Sequence, residues 1–246
     1  DTDRTITIAA SATGYARACD TLLVYNLEPS GRILISQYIE SATGSAPRGL
    51  ELFNCGTEDI NLFHEPIHVV QYTNGSNNGS ITARAEIGLL PAGKVVVVGG
   101  TTIGNYLVSQ GLIPTPVPPL DSAPTGTAYA NGAGEVVFIK DPLQFSGDDA
   151  LEIQFAFGLS DVFGNIGEDP GSAWQSNGVS TAAQNLSILE DLATPSVGFT
   201  QPHLRFSNTA PGDDPIGFGI PPAANDPFKL WLRSFGLEDP QADPDS

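Results

Sequence analysis

His64-Glu65-Pro66-Ile67-His68 has the spacing of a zinc-hydrolase helix, in which two imidazoles one turn apart hold the metal and the glutamate acts as base. Pro66 opposes a helix interior, and Ile67–Tyr72 reads as a strand, so that chemistry is not expected. In a strand, His64 and His68 would share one face as surface residues. His203 could partner a serine and an aspartate, but no Gly-x-Ser-x-Gly elbow or phosphate-cradling glycine loop accompanies it. Asp148, Asp149, Asp161, Glu168 and Asp169 gather in loops flanking the last strong strand signals. Their oxygens could ligate Ca²⁺; equally, Gly147-Asp-Asp and Glu168-Asp-Pro-Gly are ordinary turn chemistry. No organic cofactor is called for, and calcium is the ion this set would suit. Cys19 and Cys55 lack the CxxC or Cys/His company of a redox or metal site, which favours a structural disulfide. Such a bond would contribute about 3–4 kcal/mol by the loop-entropy model and would place the chain outside a reducing cytosol.

The charge balance narrows the partners. Twenty-eight acids stand against ten basic residues, for a net charge of −18, and the basic residues form no cluster. A nucleic-acid surface needs a basic patch to displace phosphate counterions, so neither nucleic acid nor an anionic membrane is expected. Divalent cations or a cationic protein surface fit better. No apolar window is long enough for membrane insertion. Absence of methionine suits an oxidising exterior, and the Asp1-Thr-Asp-Arg start reads as a processed N-terminus or a boundary. Asn74-Gly-Ser, Asn78-Gly-Ser and Asn185-Leu-Ser are glycan acceptors in a eukaryotic host and turn residues otherwise. Trp174 is expected as a core or sandwich-end anchor. The expected location is secreted, extracellular or at the cell surface.

The elements that must position these residues are mostly strands. Thr5-Ile-Thr-Ile alternates polar and apolar residues; 22–25, 32–39, 49–53, 67–72 and 81–87 follow, with an Asn74-Gly turn joining the last two. Lys94-Val-Val-Val-Val is apolar enough to be buried on both faces. Glu135–Ile139, 150–157 and 160–163 complete the set. Residues 101–134 interrupt it: Ile113-Pro-Thr-Pro-Val-Pro-Pro should run as extended surface chain crossing the sandwich, after a short helix near Ile103–Gln110. Residues 211–225 read as a Gly/Pro-rich linker to a C-terminal helix over 226–236, whose Phe228, Trp231, Leu232 and Phe235 share one face. The pattern predicts an all-β sandwich over 32–210, an N-terminal strand segment over 1–31 tied to it, and the linker and helix over 211–246.

An ordered set of segments resembles the lamin tail domain family, in the version found in extracellular bacterial proteins. These are 33–40, Gly49-Leu-Glu-Leu-Phe-Asn, Asp59-Ile-Asn-Leu, Val70-Gln-Tyr-Thr-Asn-Gly-Ser, Leu89-Leu-Pro-Ala-Gly-Lys-Val-Val-Val-Val, Ser146-Gly-Asp-Asp-Ala-Leu-Glu-Ile and the run from Ser160 to Trp174. Together they span about residues 32–190. The resemblance implies an immunoglobulin-like β-sandwich. It does not extend to residues 1–31 or to the Pro-rich insertion. The C-terminal segment resembles the helix that precedes calcium-binding Asp-rich repeats, stopping at Ser246 as a truncated or cleaved end would.

The expected function is that of a non-enzymatic extracellular structural or interaction module, a homo-oligomer or filament. Thr5, Ile6, Thr7 and Ile8 would be its pairing strand, added to a sheet edge of the next subunit; the alternative is that this strand completes the edge of its own sandwich. Two other classes compete. One is an accessory domain of a secreted nuclease, phosphoesterase or other hydrolase, which lamin-tail-like modules often accompany. The other is a carbohydrate-binding sandwich using exposed aromatics such as Tyr106 or Tyr129.

Overall fold

The computed structural model describes residues 33–41, 47–155, 161–189, 192 and 194–222, together with the backbone of 4–10 and 18–24. In chain order the elements are β1 (Arg4–Ala10), β2 (Ala18–Val24), β3 (Ile33–Glu40), β4 (Arg48–Asn54), β5 (Ile60–Asn61), β6 (Ile67–Tyr72), β7 (Ser80–Ala85), β8 (Leu89–Leu90) and β9 (Val95–Gly99). Helix α1 (Thr101–Ser109) follows, then β10 (Thr127–Ala130), β11 (Val136–Lys140), β12 (Ala150–Phe155), β13 (Asp161–Phe163), β14 (Gln175–Ser176), β15 (Val179–Ser180) and β16 (Gln184–Ile188). A 3-10 turn (Pro202–Leu204) leads into β17 (Phe206–Pro211).

Two large sheets carry the fold. One runs β10-β11-β9-β4-β3-β16-β17 and the other β13-β12-β6-β7. Alternating residues on their facing sides, among them Ile35, Leu52, Val96, Val69, Leu151 and Ile153, enclose one apolar core, so the protein is an all-β sandwich. Tyr38 stacks on Phe163 at 4.2 Å within it. Strands β1 and β2 pair antiparallel as a separate sheet of two, Thr5 opposite Leu23 and Ile8 opposite Asp20. The pairing expected between Cys19 and Cys55 rests on a side chain outside the described residues, and so does the helix expected over 226–236.

The middle of the larger sheet is buried on both faces, as every residue of β3 and β9 shows. Its outer face is covered by the helix expected near 103–110 and by the residues that bound the Pro-rich run. Ile103 and Leu107 of α1, with Ile113 and Leu120, pack on Ile39, Val97 and Phe138 in a second core. Between Ile113 and Leu120 the Pro-rich run is the surface chain expected: of residues 114–119 all but Pro116 are exposed, Val117 at 85 %, since proline removes a hydrogen-bond donor and bars ladder pairing. α1 begins two residues earlier than expected and lies close over Gly49, where a Cβ would run into Ile103. Because the chain crosses over through α1, β11 joins β9 in parallel. Residues 211–222, expected as a linker, are fastened to the same face. Phe218 is fully buried, and the Gly217 N–H donates to Tyr106 Oη at 3.1 Å.

Strands β16 and β17 have no apolar alternation to announce them. β16 is nevertheless central, between β3 and β17, and its Asn185 is wholly buried. That side chain donates to the carbonyls of Asp214 (2.7 Å) and Ile216 (3.0 Å), and accepts from Gln37 Nε2 at 2.6 Å. The sequon there is thereby closed to a glycan, whereas Asn74 and Asn78 are exposed.

Trp174 is the buried anchor expected: it lies edge-on to Phe199 at 6.4 Å and covers Gly164. Gly164 has a φ of +79°, and a Cβ there would lie 2.6 Å from the indole. Gly164→Ala is expected to lower the unfolding free energy by about 2–3 kcal/mol, combining left-handed strain with overpacking. Urea denaturation checks this; a loss under about 0.5 kcal/mol, the scale of a neutral surface change, would show that the loop yields freely.

Candidate functional site

The residues that could do chemistry are dispersed. His64 is exposed in a turn held by Asn61, whose carbonyl accepts the His64 and Glu65 N–H groups at 2.9 and 2.8 Å. His68 sits in β6 with Nε2 3.3 Å from Glu86 Oε1. A turn and a strand therefore divide the two imidazoles, because Pro66 stops the chain from continuing one helix. His203 does meet a serine: Nδ1 lies 2.7 Å from Ser176 Oγ, which also accepts the His203 N–H at 3.2 Å. Both contacts tie the 3-10 turn to β14, and no carboxylate is bonded to the far ring nitrogen among the described residues.

The five loop acids are each held by protein donors, Asp148 and Asp149 sharing the Ser146 hydroxyl. Asp149 is buried and accepts from Gln71 Nε2 (2.7 Å), the Ser146 N–H (2.9 Å) and the Asn74 N–H (3.2 Å). Asp148 accepts from Ser146 Oγ at 2.7 Å. Glu168 and Asp169 are exposed and cap their own turn through Asn165 Nδ2 (2.7 Å) and the Gly171 N–H (2.8 Å). Asp161, at 1 % exposure, is a structural anion: it accepts from the Ile35 N–H (2.7 Å), the Ser196 N–H (2.6 Å) and Arg205 Nη2 (2.8 Å). Burial pushes its carboxyl up, while Arg205 and the two N–H groups pull it back. Among the described residues no three His, Cys, Asp or Glu side chains converge as a metal centre requires. Neither of the two tyrosines expected as exposed sugar platforms is exposed. Tyr129 is buried against Phe138 with its hydroxyl on the Pro118 carbonyl, and Tyr106 is half-buried.

Two acids not singled out in the sequence stand out in space. Glu51 of β4 is fully enclosed. Its Oε1 accepts from Ser36 Oγ at 2.7 Å, and its Oε2 accepts the Gly219 N–H at 2.6 Å. Ser36 reaches it as the extra residue of a bulge in β3. Desolvation raises the Glu51 pKa to about 8, so the group is mostly protonated at neutral pH.

Asp141 follows β11 and is 7 % exposed. It lines a cleft of about 380 Å³ on the open side of the sandwich, between Thr125–Gly126 and edge strand β7. Ile81 and Ile87 flank the cleft and are 43 % and 62 % exposed. Burial alone raises the Asp141 pKa to about 6. Arg84 enters the same cleft but is paired with Glu86 at 3.2 Å, and its hydrogen bond holds the Glu86 carboxyl below its ordinary range. The arrangement can receive an extended chain: among the described residues it has a strand bonded on one side only, apolar flanks, and a carboxyl with no donor. No pattern in the sequence marks it, since β7 and β11, which Asp141 follows, belong to different sheets.

No helix among the described residues is long and apolar enough to cross a membrane. No family model, curated protein or solved structure matches the chain.

Proposed function

We propose that the chain is a non-enzymatic extracellular structural module, an immunoglobulin-like sandwich of lamin-tail type, that self-associates by β-strand addition. One observation carries this: among the described residues β1 and β2 form a sheet of two outside both large sheets, while those sheets keep open edges. A two-stranded ribbon is marginal by itself in water, so its free edge gains from a further strand. Main-chain hydrogen bonds supply affinity and alternate side chains supply register. Addition of one subunit's strand to the next is head-to-tail, does not close, and builds a filament. The acidic composition suits the outside of a cell, as the expected Cys19–Cys55 bond would.

Deletion of residues 1–10 is the test. The truncated chain should melt with the parent yet stay monomeric in light scattering at concentrations where the parent assembles. Lost thermal stability with unchanged assembly would instead make β1 a component of its own subunit's fold.

A further inference from the structure

The acceptor for that strand can be named, given the assembly just proposed. We infer that the cleft between β7 and Asp141 receives β1 of a second copy of the chain, with Arg4 of the incoming strand paired to Asp141. Among the described residues β7 bonds only β6, so one side of its backbone is open. It has six residues against seven in β1, which makes the two strands comparable in length. Thr82 is the extra residue of a bulge opposite Val69 and Val70, which shortens the regular run. Ladder bonds alone therefore do not choose the occupant; the cleft's side chains do.

The choice falls on Asp141. The other buried carboxyls, Glu40, Glu51, Asp149 and Asp161, each accept a hydrogen bond from an identified donor. The Asp141 carboxyl accepts none among the described residues, and burial is the one influence acting on it. A desolvated, unpartnered carboxyl at the floor of an open cleft is complementary to a cation arriving with the ligand. In a chain with only ten basic residues, Arg4 stands directly before the alternating Thr5-Ile6-Thr7-Ile8 run. The incoming strand thus brings apolar residues for Ile81 and Ile87 together with a guanidinium for Asp141. Guanidinium suits a carboxylate better than ammonium does, because its planar fork can bond both oxygens.

The experiment is sedimentation velocity of the whole chain over a concentration series. Asp141→Asn should weaken association by about 30-fold or more, the scale for cutting one side of a buried charge pair. Its melting temperature should not fall, since no internal partner is lost. Ile81→Lys, at an exposed flank, should block the cleft and leave a folded monomer. The exchange of charges, Arg4→Asp with Asp141→Arg, should recover association that either change alone removes. Assembly that is lost on deleting residues 1–10 but indifferent to both cleft substitutions would overturn this acceptor and leave the strand-addition function standing. A parent chain that stays monomeric at every concentration would overturn both, as would a link between Arg4 and Asp141 independent of concentration, which places the strand in its own subunit.

Discussion

Asp161→Ala is expected to lower the unfolding free energy by about 3–5 kcal/mol, because it leaves the Arg205 guanidinium buried without its counter-charge. Two backbone donors, the N–H groups of Ile35 and Ser196, lose their acceptor at the same stroke. Each buried donor left unmade adds a cost of its own. The position ties β13, β3 and the segment before β17 at one point, so the loss should be global and visible in any probe of the sandwich. For a chain of this size the melting temperature should fall by roughly 10–15 °C. Asp161→Asn, which keeps the shape and one acceptor oxygen, should recover a part of the loss but not the charge. Arg205→Met alone should also destabilise. The pair Asp161→Asn with Arg205→Met should cost less than the sum of the two, since neither charge is then stranded. Urea unfolding of the four chains measures the coupling. Additive losses, or an Asp161→Ala effect under about 1 kcal/mol, would show that the pair is not the keystone its burial suggests.

Glu51→Gln is expected to leave stability at pH 4 nearly unchanged and to raise it at pH 8 by about 3–4 kcal/mol relative to the parent. The sign follows from proton binding. The folded pKa is about 8 against an ordinary value of 4.5. Below pH 4.5 folded and unfolded chains both carry the proton, and the contribution of the enclosed group is fully present. From there to pH 8 the unfolded chain releases the proton first, so the parent loses stability as pH rises, and above pH 8 the loss is complete. Glutamine keeps an oxygen for the Gly219 N–H and presents an amide to Ser36 Oγ, so it satisfies the same partners without titrating. Asp141, raised to about 6, imposes a slope of the same sign and remains in both chains. The informative quantity is therefore the difference between variant and parent at pH 4, 6 and 8. A constant difference across that range would mean that Glu51 is ionised in the folded protein.

Strand 67–72 and the valine run 95–98 were legible because period-two alternation and continuous apolar character are local properties of the chain. The turn at Asn74-Gly and the helix near Ile103 were legible for the same reason, resting on backbone chemistry within a few residues. Trp174 as an anchor needed only its size. Beyond that point, neighbours in sequence stop being the relevant neighbours. Glu51 lies within Gly49-Leu-Glu-Leu-Phe, where alternation predicts a polar residue facing water. It is enclosed because Gly219, 168 positions away, crosses over it. Asp161 was grouped with loop acids as a calcium ligand, and is instead consumed by Arg205, 44 positions on. β16 was missed because its Asn185 looks like a surface residue until β3 and the strap of residues 211–222 supply donors and acceptors around it.

What the sequence determined by itself was the class of structure: many short strands, one sandwich, an acidic exterior without a basic patch or a membrane-spanning run. What only the tertiary structure decided was which faces are doubly covered, which carboxyls are paired, and which buried one accepts no hydrogen bond among the described residues. The physical reason is that alternation records a residue's preference between two sides of a strand. The dielectric and the hydrogen-bond partners on each side are set by segments that arrive from a hundred or more residues away.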